Sequence, residues 1–123
     1  MTVVLDTSVL IDILRNDSAA VTYARGLESV PVCSEVCRIE VSRGLRSSER
    51  RSAEQLFQAL RWMPLDESIA RRAGELGRKW DRHRPGIGLA DLVVAATAQL
   101  LAADLATANV RHFPMFPGLR APY

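Results

Sequence analysis

The chain has 123 residues, of which 48% are hydrophobic and 24% are charged, and its formal net charge is +2. This length and composition predict one globular domain over residues 1–123 with its own hydrophobic core, and they exclude a generally disordered protein. The net charge alone does not indicate a nucleic-acid-binding protein. Of the 16 basic residues only Lys79 is a lysine. Arginine suits bidentate contacts to phosphate, so RNA binding stays open.

The sequence contains no pattern typical of secretion or of a membrane span. The N-terminus lacks a basic flank and a cleavage site. The apolar stretch from Leu92 to Ala103 is too short to cross a bilayer and is interrupted by polar residues. Cys33 and Cys37 are too few for a disulfide framework or a complete zinc site, and we expect buried packing thiols. We therefore expect a cytoplasmic protein that does not enter a membrane.

Short apolar strands alternate with helices along the chain. The first half predicts strands at 2–5 and 30–33 and helices at 9–15, 19–27 (capped by Ser18), 34–45 (capped by Ser34) and 49–61. The second half predicts a strand at 62–65, helices at 66–82 and 89–103, a loop at 84–88, a strand at 105–107 and a loop-like tail with room for one edge strand. This alternation predicts an α/β fold with a short parallel sheet flanked by helices.

Asp6 directly follows the first predicted strand. In open α/β sheets, sites form beyond the carboxyl ends of the strands. A lone Asp at such a position is as often a helix cap as a site residue, and both interpretations stay open at this point.

Glu40 lies four residues after Val36 and three after Cys37, which places it on the apolar face of the third predicted helix. A carboxylate there is unfavourable unless it is paired or bound to a metal. The alternative is a glutamate at the margin of this face that reaches solvent or Arg43. We favour the first interpretation.

Asp91 is the only charged residue between Leu89 and Ala103. It lies in the first turn of the predicted helix, where the helix dipole favours a negative charge. Asp is common at helix starts, but a cap normally precedes the apolar run rather than standing inside it. The position therefore favours a functional role.

Thr107 and Asn109 follow the last predicted strand, although turn chemistry alone could explain them. Asn109 together with Asp6, Glu40 and Asp91 forms a set of hard oxygen donors, which suits Mg²⁺ or Mn²⁺ rather than zinc. Such ions neutralise a scissile phosphate and generate a nucleophilic hydroxide from water. The residues alone thus predict a metal-dependent site for phosphate-ester chemistry.

Four motifs in this order resemble those of the PIN-domain ribonucleases, and among them the VapC toxins of bacterial VapBC toxin–antitoxin pairs. The motifs are Val-Val-Leu-Asp6-Thr-Ser8, Ile39-Glu40-Val-Ser-Arg-Gly44, Gly86-Ile-Gly-Leu-Ala-Asp91 and Ala106-Thr107-Ala-Asn109-Val-Arg-His112. The closing segment Phe116-Pro-Gly-Leu119 is also similar, so the resemblance covers nearly the whole chain.

The resemblance implies a metal-dependent endoribonuclease that acts as a toxin, with Asp6, Glu40 and Asp91 as its main acids. Thr107 and Asn109 match positions that hold the metal or its waters. His112 stands where many members carry an acid, and with Ser8 and Thr107 we place it in a supporting role. The resemblance also implies a homodimer, and a small antitoxin whose C-terminal segment covers the acidic site.

Arg46, Arg50 and Arg51 form the densest basic cluster of the sequence. They are candidates for contacts to the RNA backbone, although a solvated helix start would look the same.

Two alternatives to a toxin remain. One is a catalytically weak PIN domain that binds RNA or protein, which His112 would allow. The other is a different Mg²⁺- or Mn²⁺-dependent phosphate-ester hydrolase.

Overall fold

The computed structural model describes residues 1–80 and 86–123. Over these residues the strands are β1 (Val3–Leu5), β2 (Val32–Ser34), β3 (Arg61–Met63) and β4 (Asp104–Ala106). The helices are α1 (Thr7–Leu14), α2 (Ser18–Arg25), α3 (Glu35–Arg43), α4 (Arg50–Gln58), α5 (Glu67–Trp80) and α6 (Leu89–Leu100). Short 3₁₀ helices span Ser47–Glu49 and Val110–His112.

The four strands form a parallel sheet in the order β3-β2-β1-β4. Val4 of β1 lies opposite Val32 of β2 on one side and Leu105 of β4 on the other. Parallel strands are covered on both faces, which explains the continuous apolar run that forms β1. The predicted α/β fold with a short parallel sheet is confirmed.

Helix α6 forms the centre of the core. All residues from Leu92 to Ala98 are buried, and the helix packs against β1, β2 and β4 of the sheet and against α3 and α5. Its alanines and valines are small enough to let the helix lie close to the strands. Despite this apolar character, no helix of the described residues is long and apolar enough to cross a membrane.

Two helix starts differ from the sequence prediction. Helix α1 begins at Thr7 rather than Val9, directly after β1. The N-cap of α2 is Asp17, whose carboxylate accepts the N–H of Ala20, and not Ser18. Both residues are good caps by type, so composition alone did not separate them. The predicted cap of α3 is confirmed, because Ser34 Oγ accepts the N–H of Val36.

Other differences concern short segments. The 3₁₀ helix at Ser47–Glu49 precedes α4, which ends at Gln58, so the helix predicted over 49–61 is shorter in the structure. Residues 107–123 contain no strand, so the edge strand considered for the tail is wrong. Pro114 and Pro117 lack the N–H groups that a strand needs. The predicted end of the fifth helix and the first part of the 84–88 loop lie outside the described residues.

Both cysteines are buried and free, as the sequence predicts. Burial raises the pKa of Cys37 to about 12 and raises that of Cys33 still further from its usual range. The thiolate is the reactive form, and a raised pKa removes it at ordinary pH.

We therefore expect neither thiol of the native protein to react with a thiol-specific reagent at pH 8 within an hour. In denaturant, where both pKa values return to roughly 8.5, two equivalents should react quickly. Fast labelling of the native protein at the same rate as the unfolded chain would contradict this burial.

Candidate functional site

The carboxyl ends of β1, β2 and β4 lie at one edge of the sheet, and polar residues follow each of them. Asp6 follows β1, α3 follows β2 and carries Glu40, and Thr107 follows β4. The first turn of α6 brings Asp91 to the same place. A cavity of about 490 Å³ at this edge is lined by Asp6, Thr7, Ser8, Ile11, Asp12, Glu40, Asp91, Ala108, Asn109 and His112. Three acids that are distant in sequence thus share one cavity, as predicted.

Asp6 is almost completely buried, with 4% of its surface exposed. Its Oδ2 atom accepts two hydroxyl groups, from Ser8 Oγ at 2.9 Å and from Thr107 Oγ1 at 2.8 Å. A buried carboxylate is stable only with such partners. Because both donors are on Oδ2, the other oxygen, Oδ1, lies outside these hydrogen bonds.

The same two hydroxyl groups also accept hydrogen bonds from the loop after β4. The N–H of Ala108 donates to Ser8 Oγ at 3.0 Å, and the N–H of Asn109 donates to Thr107 Oγ1 at 3.0 Å. Asn109 is exposed and lies on the wall of the cavity. Ser8 and Thr107 therefore orient the Asp6 carboxylate and also hold the loop that carries Asn109.

Glu40 is partly buried on the cavity wall. Its Oε1 accepts the hydroxyl of Thr7 at 2.6 Å, a short bond between α3 and the first residue of α1. The carboxylate thus bonds to Thr7, and within residues 1–80 and 86–123 it forms no ion pair with Arg43, one partner of the alternative that the sequence had left open.

Asp91 has two partners on Oδ2. It accepts the N–H of Gly88 at 3.1 Å, which caps α6, and His112 Nδ1 lies 3.3 Å away. Burial raises the pKa of Asp91, and the charges of Asp6 and Glu40 raise it further, while the Gly88 N–H and the neighbouring His112 lower it. The environment as a whole thus disfavours the charge of Asp91.

Sequence reasoning assigns no role to two polar residues of the wall, Thr7 and Asp12. No local pattern identifies Thr7, because its partner Glu40 is 33 positions away. Asp12 lies one helical turn after Ser8, so helical periodicity could have placed it on the same face. Its Oδ2 accepts the hydroxyl of Tyr123 at 2.6 Å.

The acids of the cavity are oriented by neutral groups. Within residues 1–80 and 86–123, the Arg and Lys ion pairs lie elsewhere, and none involves Asp6, Glu40 or Asp91. In the same part of the chain, no three His, Cys, Asp or Glu side chains stand at the mutual distances of a formed metal site.

Arg46, Arg50 and Arg51 are exposed and do not belong to the cavity wall. Arg46 precedes the 3₁₀ helix, and the other two begin α4. This region is joined to α1 by the ion pair between Arg15 and Glu49, at 3.5 Å. Their role as contacts to RNA stays a prediction.

A second, larger cavity of about 590 Å³ lies between α5 and α6. Its wall is mostly aliphatic and glycine, with Arg78 as the charged member. Among residues 1–80 and 86–123, this wall offers no carboxylate for a cation and no acid or base for hydrolysis. The acidic cavity is therefore the candidate active site.

Comparison with known proteins agrees with this geometry. The PIN domain family matches residues 3–116. Ribonuclease VapC19 of Mycobacterium tuberculosis is 42% identical, over 97% of this chain and 98% of the relative. Ribonuclease VapC10 of the same species is 40% identical, over 98% and 92%. A toxin–antitoxin complex from Klebsiella pneumoniae contains a chain with a TM-score of 0.82 and 26% identity, and the match covers 98% of both chains. The chain belongs to the PIN domain family, within which it is a relative of the VapC ribonucleases.

Proposed function

We propose that this protein is a Mg²⁺- or Mn²⁺-dependent endoribonuclease and the toxin of a toxin–antitoxin pair. The observation that carries the proposal is the convergence of Asp6, Glu40 and Asp91, from three separate segments, on one cavity at the carboxyl edge of the sheet. The relatives named as VapC ribonucleases support the reaction type.

The donor set fits a hard divalent cation. Each of the three carboxylates faces the cavity, and Asp6 has one oxygen outside its hydrogen bonds. We assign Asp6, Glu40 and Asp91 as ligands, with Asn109 as a further ligand directly or through water. When bound, such a cation supplies charge neutralisation for the phosphodiester and lowers the pKa of water. Oxygen donors suit Mg²⁺ and Mn²⁺, whereas zinc prefers nitrogen and sulfur.

The side chains around the acids position them, and the proposed reaction needs no protein nucleophile. The hydroxyls of Ser8 and Thr107 donate to Asp6 and accept backbone N–H groups of the loop after β4, which suits a positioning role. Water is therefore the proposed nucleophile, attacking in line with the P–O bond that breaks. His112 lies on the wall of the cavity next to Asp91, and we assign it a supporting role there.

We extend the proposal to the partners. A small antitoxin would cover the acidic cavity, and an arginine from it would pair with carboxylates that lack such a partner in the described residues. A chain of similar fold occurs in a toxin–antitoxin complex, which supports this partner class.

We also propose that the protein forms a homodimer and is located in the cytoplasm. Light scattering of the purified chain tests the dimer.

A binding module without cleavage is the second candidate. The observation that favours it is the imidazole of His112, which lies 3.3 Å from Asp91. A carboxylate at this position would bind a cation more tightly than an imidazole does. Incubation of total RNA with the protein, with Mn²⁺ or with EDTA, separates the candidates. Cleavage that requires Mn²⁺ supports the nuclease, and RNA binding without cleavage supports the module.

Conservative replacement of the three acids tests their assignment as ligands. Asp6→Asn, Glu40→Gln and Asp91→Asn should each lower Mn²⁺-dependent cleavage by about 100-fold or more, because the cation contributes several kcal/mol to the transition state. Glu67→Gln is the matched control, since this exposed acid on α5 pairs only with Arg71. Cleavage at the wild-type rate by any two of the three site variants would contradict the assignment.

The charge of Asp91 should lower the thermal stability of the protein when no cation is bound. Removing the charge of Asp91 with Asp91→Asn keeps an acceptor for the Gly88 N–H and relieves repulsion from Asp6 and Glu40. In EDTA at pH 7, its Tm should therefore lie about 3–6 °C above that of the wild type, which corresponds to roughly 1 kcal/mol.

Millimolar Mn²⁺ should raise the Tm of the wild type, because a ligand that binds only the folded state stabilises it, and it should leave the variant almost unchanged. Differential scanning calorimetry measures both effects. Equal Tm values for wild type and variant in EDTA, together with no response to Mn²⁺, would mean that the acids do not form one cation site.

A further inference from the structure

Thr7 joins the helix that follows β1 to the helix that carries Glu40. Its Oγ1 donates to Glu40 Oε1 at 2.6 Å, and both side chains lie on the wall of the acidic cavity. The contact bridges α1 and α3, which pack against each other. An O–H donor on a carboxylate at this distance is a charge-assisted bond, which is stronger and more directional than a neutral one.

Glu40 requires such a constraint more than its neighbours. Asp6 and Asp91 have short side chains and are held by two hydroxyls and by a backbone N–H, respectively. Glutamate has one more rotatable bond, and its conformational freedom would be lost when it binds a cation. The bond from Thr7 removes this freedom in advance and leaves the second oxygen, Oε2, outside the bond.

The proton of Thr7 is available for this purpose. Cys37 lies one turn before Glu40 on α3, and its thiol points to the carbonyl oxygen of Leu5 at 3.9 Å. Thr7 also lies beside this thiol and lowers its pKa, but the neutral sulfur is a much weaker acceptor than the carboxylate of Glu40. The hydroxyl of Thr7 can donate to Glu40 without leaving a neighbouring group unsatisfied.

We propose that Thr7 is a positioning residue, which holds Glu40 in the conformation that binds the divalent cation. This inference rests on the proposed function and deepens it, because it assigns a role to a side chain outside the set of metal-binding acids. Thr7 acts through Glu40 and does not itself contact the cation or the RNA.

Calorimetric titration of MnCl₂ into the RNA-free protein tests the proposal without reference to activity. Thr7→Val keeps the shape of the side chain and removes the hydroxyl, and it should weaken Mn²⁺ binding by about 10-fold or more, as is common for residues that orient metal ligands. Thr7→Ser restores the hydroxyl and should bind Mn²⁺ nearly as well as the wild type. Thr22→Val, the same change on the exposed face of α2, is the matched control and should have no effect.

A double-mutant cycle separates positioning from a general effect on the fold. In the Glu40→Gln background, Thr7→Val should cause no further loss of Mn²⁺ affinity, because the group that it positions is no longer a ligand. Equal binding by Thr7→Val and wild type would overturn the inference, as would a Thr7→Ser variant as weak as Thr7→Val, or an undiminished loss in the Glu40→Gln background. Failure of the wild type to bind Mn²⁺ would instead overturn the proposed function, and this inference with it.

Discussion

The candidate site depends on a buried carboxylate that is held by neutral hydroxyls. Asp6 is 4% exposed and receives two hydroxyl protons on one oxygen. An Arg or Lys partner would stabilise the burial more strongly, but it would also neutralise the charge and compete with a cation. Hydroxyl donors orient the carboxylate and preserve its charge.

This arrangement requires the strand order of the sheet. Thr107 can reach Asp6 only because β4 lies next to β1, although the two residues are 101 positions apart. The ladder continues beyond the strands, since the N–H of Asp6 donates to the carbonyl oxygen of Ala106 at 2.9 Å. The buried helix α6 then fixes Asp91 on the wall of the same cavity. Core packing and site geometry are therefore set by the same elements.

The principal acids could be predicted because each one interrupts an apolar pattern. Asp6 ends the run that forms β1, Glu40 lies on the inner side of α3, and Asp91 stands inside the apolar helix α6. The parallel sheet could be predicted for a similar reason, since short apolar runs alternate with amphipathic segments.

Contacts between distant residues could not be predicted in this way. Thr7 is an ordinary helix-start residue until α3 is placed beside it, and Asp17 and Ser18 are equally suitable caps until the backbone selects one. Periodicity specifies which face a side chain occupies, but not which group faces it from another element. The three arginines near α4 illustrate the same limit, because exposure alone does not distinguish an RNA contact from a solvated surface.

The central claim is that three segments of the chain form one cation site at the edge of the sheet. A crystal structure of the protein with Mn²⁺, with anomalous data collected near the manganese edge, tests it most directly. The account predicts an anomalous peak in the acidic cavity, within roughly 2.5 Å of carboxylate oxygens of Asp6, Glu40 and Asp91. A cavity without a peak, at a Mn²⁺ concentration that supports RNA cleavage, would contradict it.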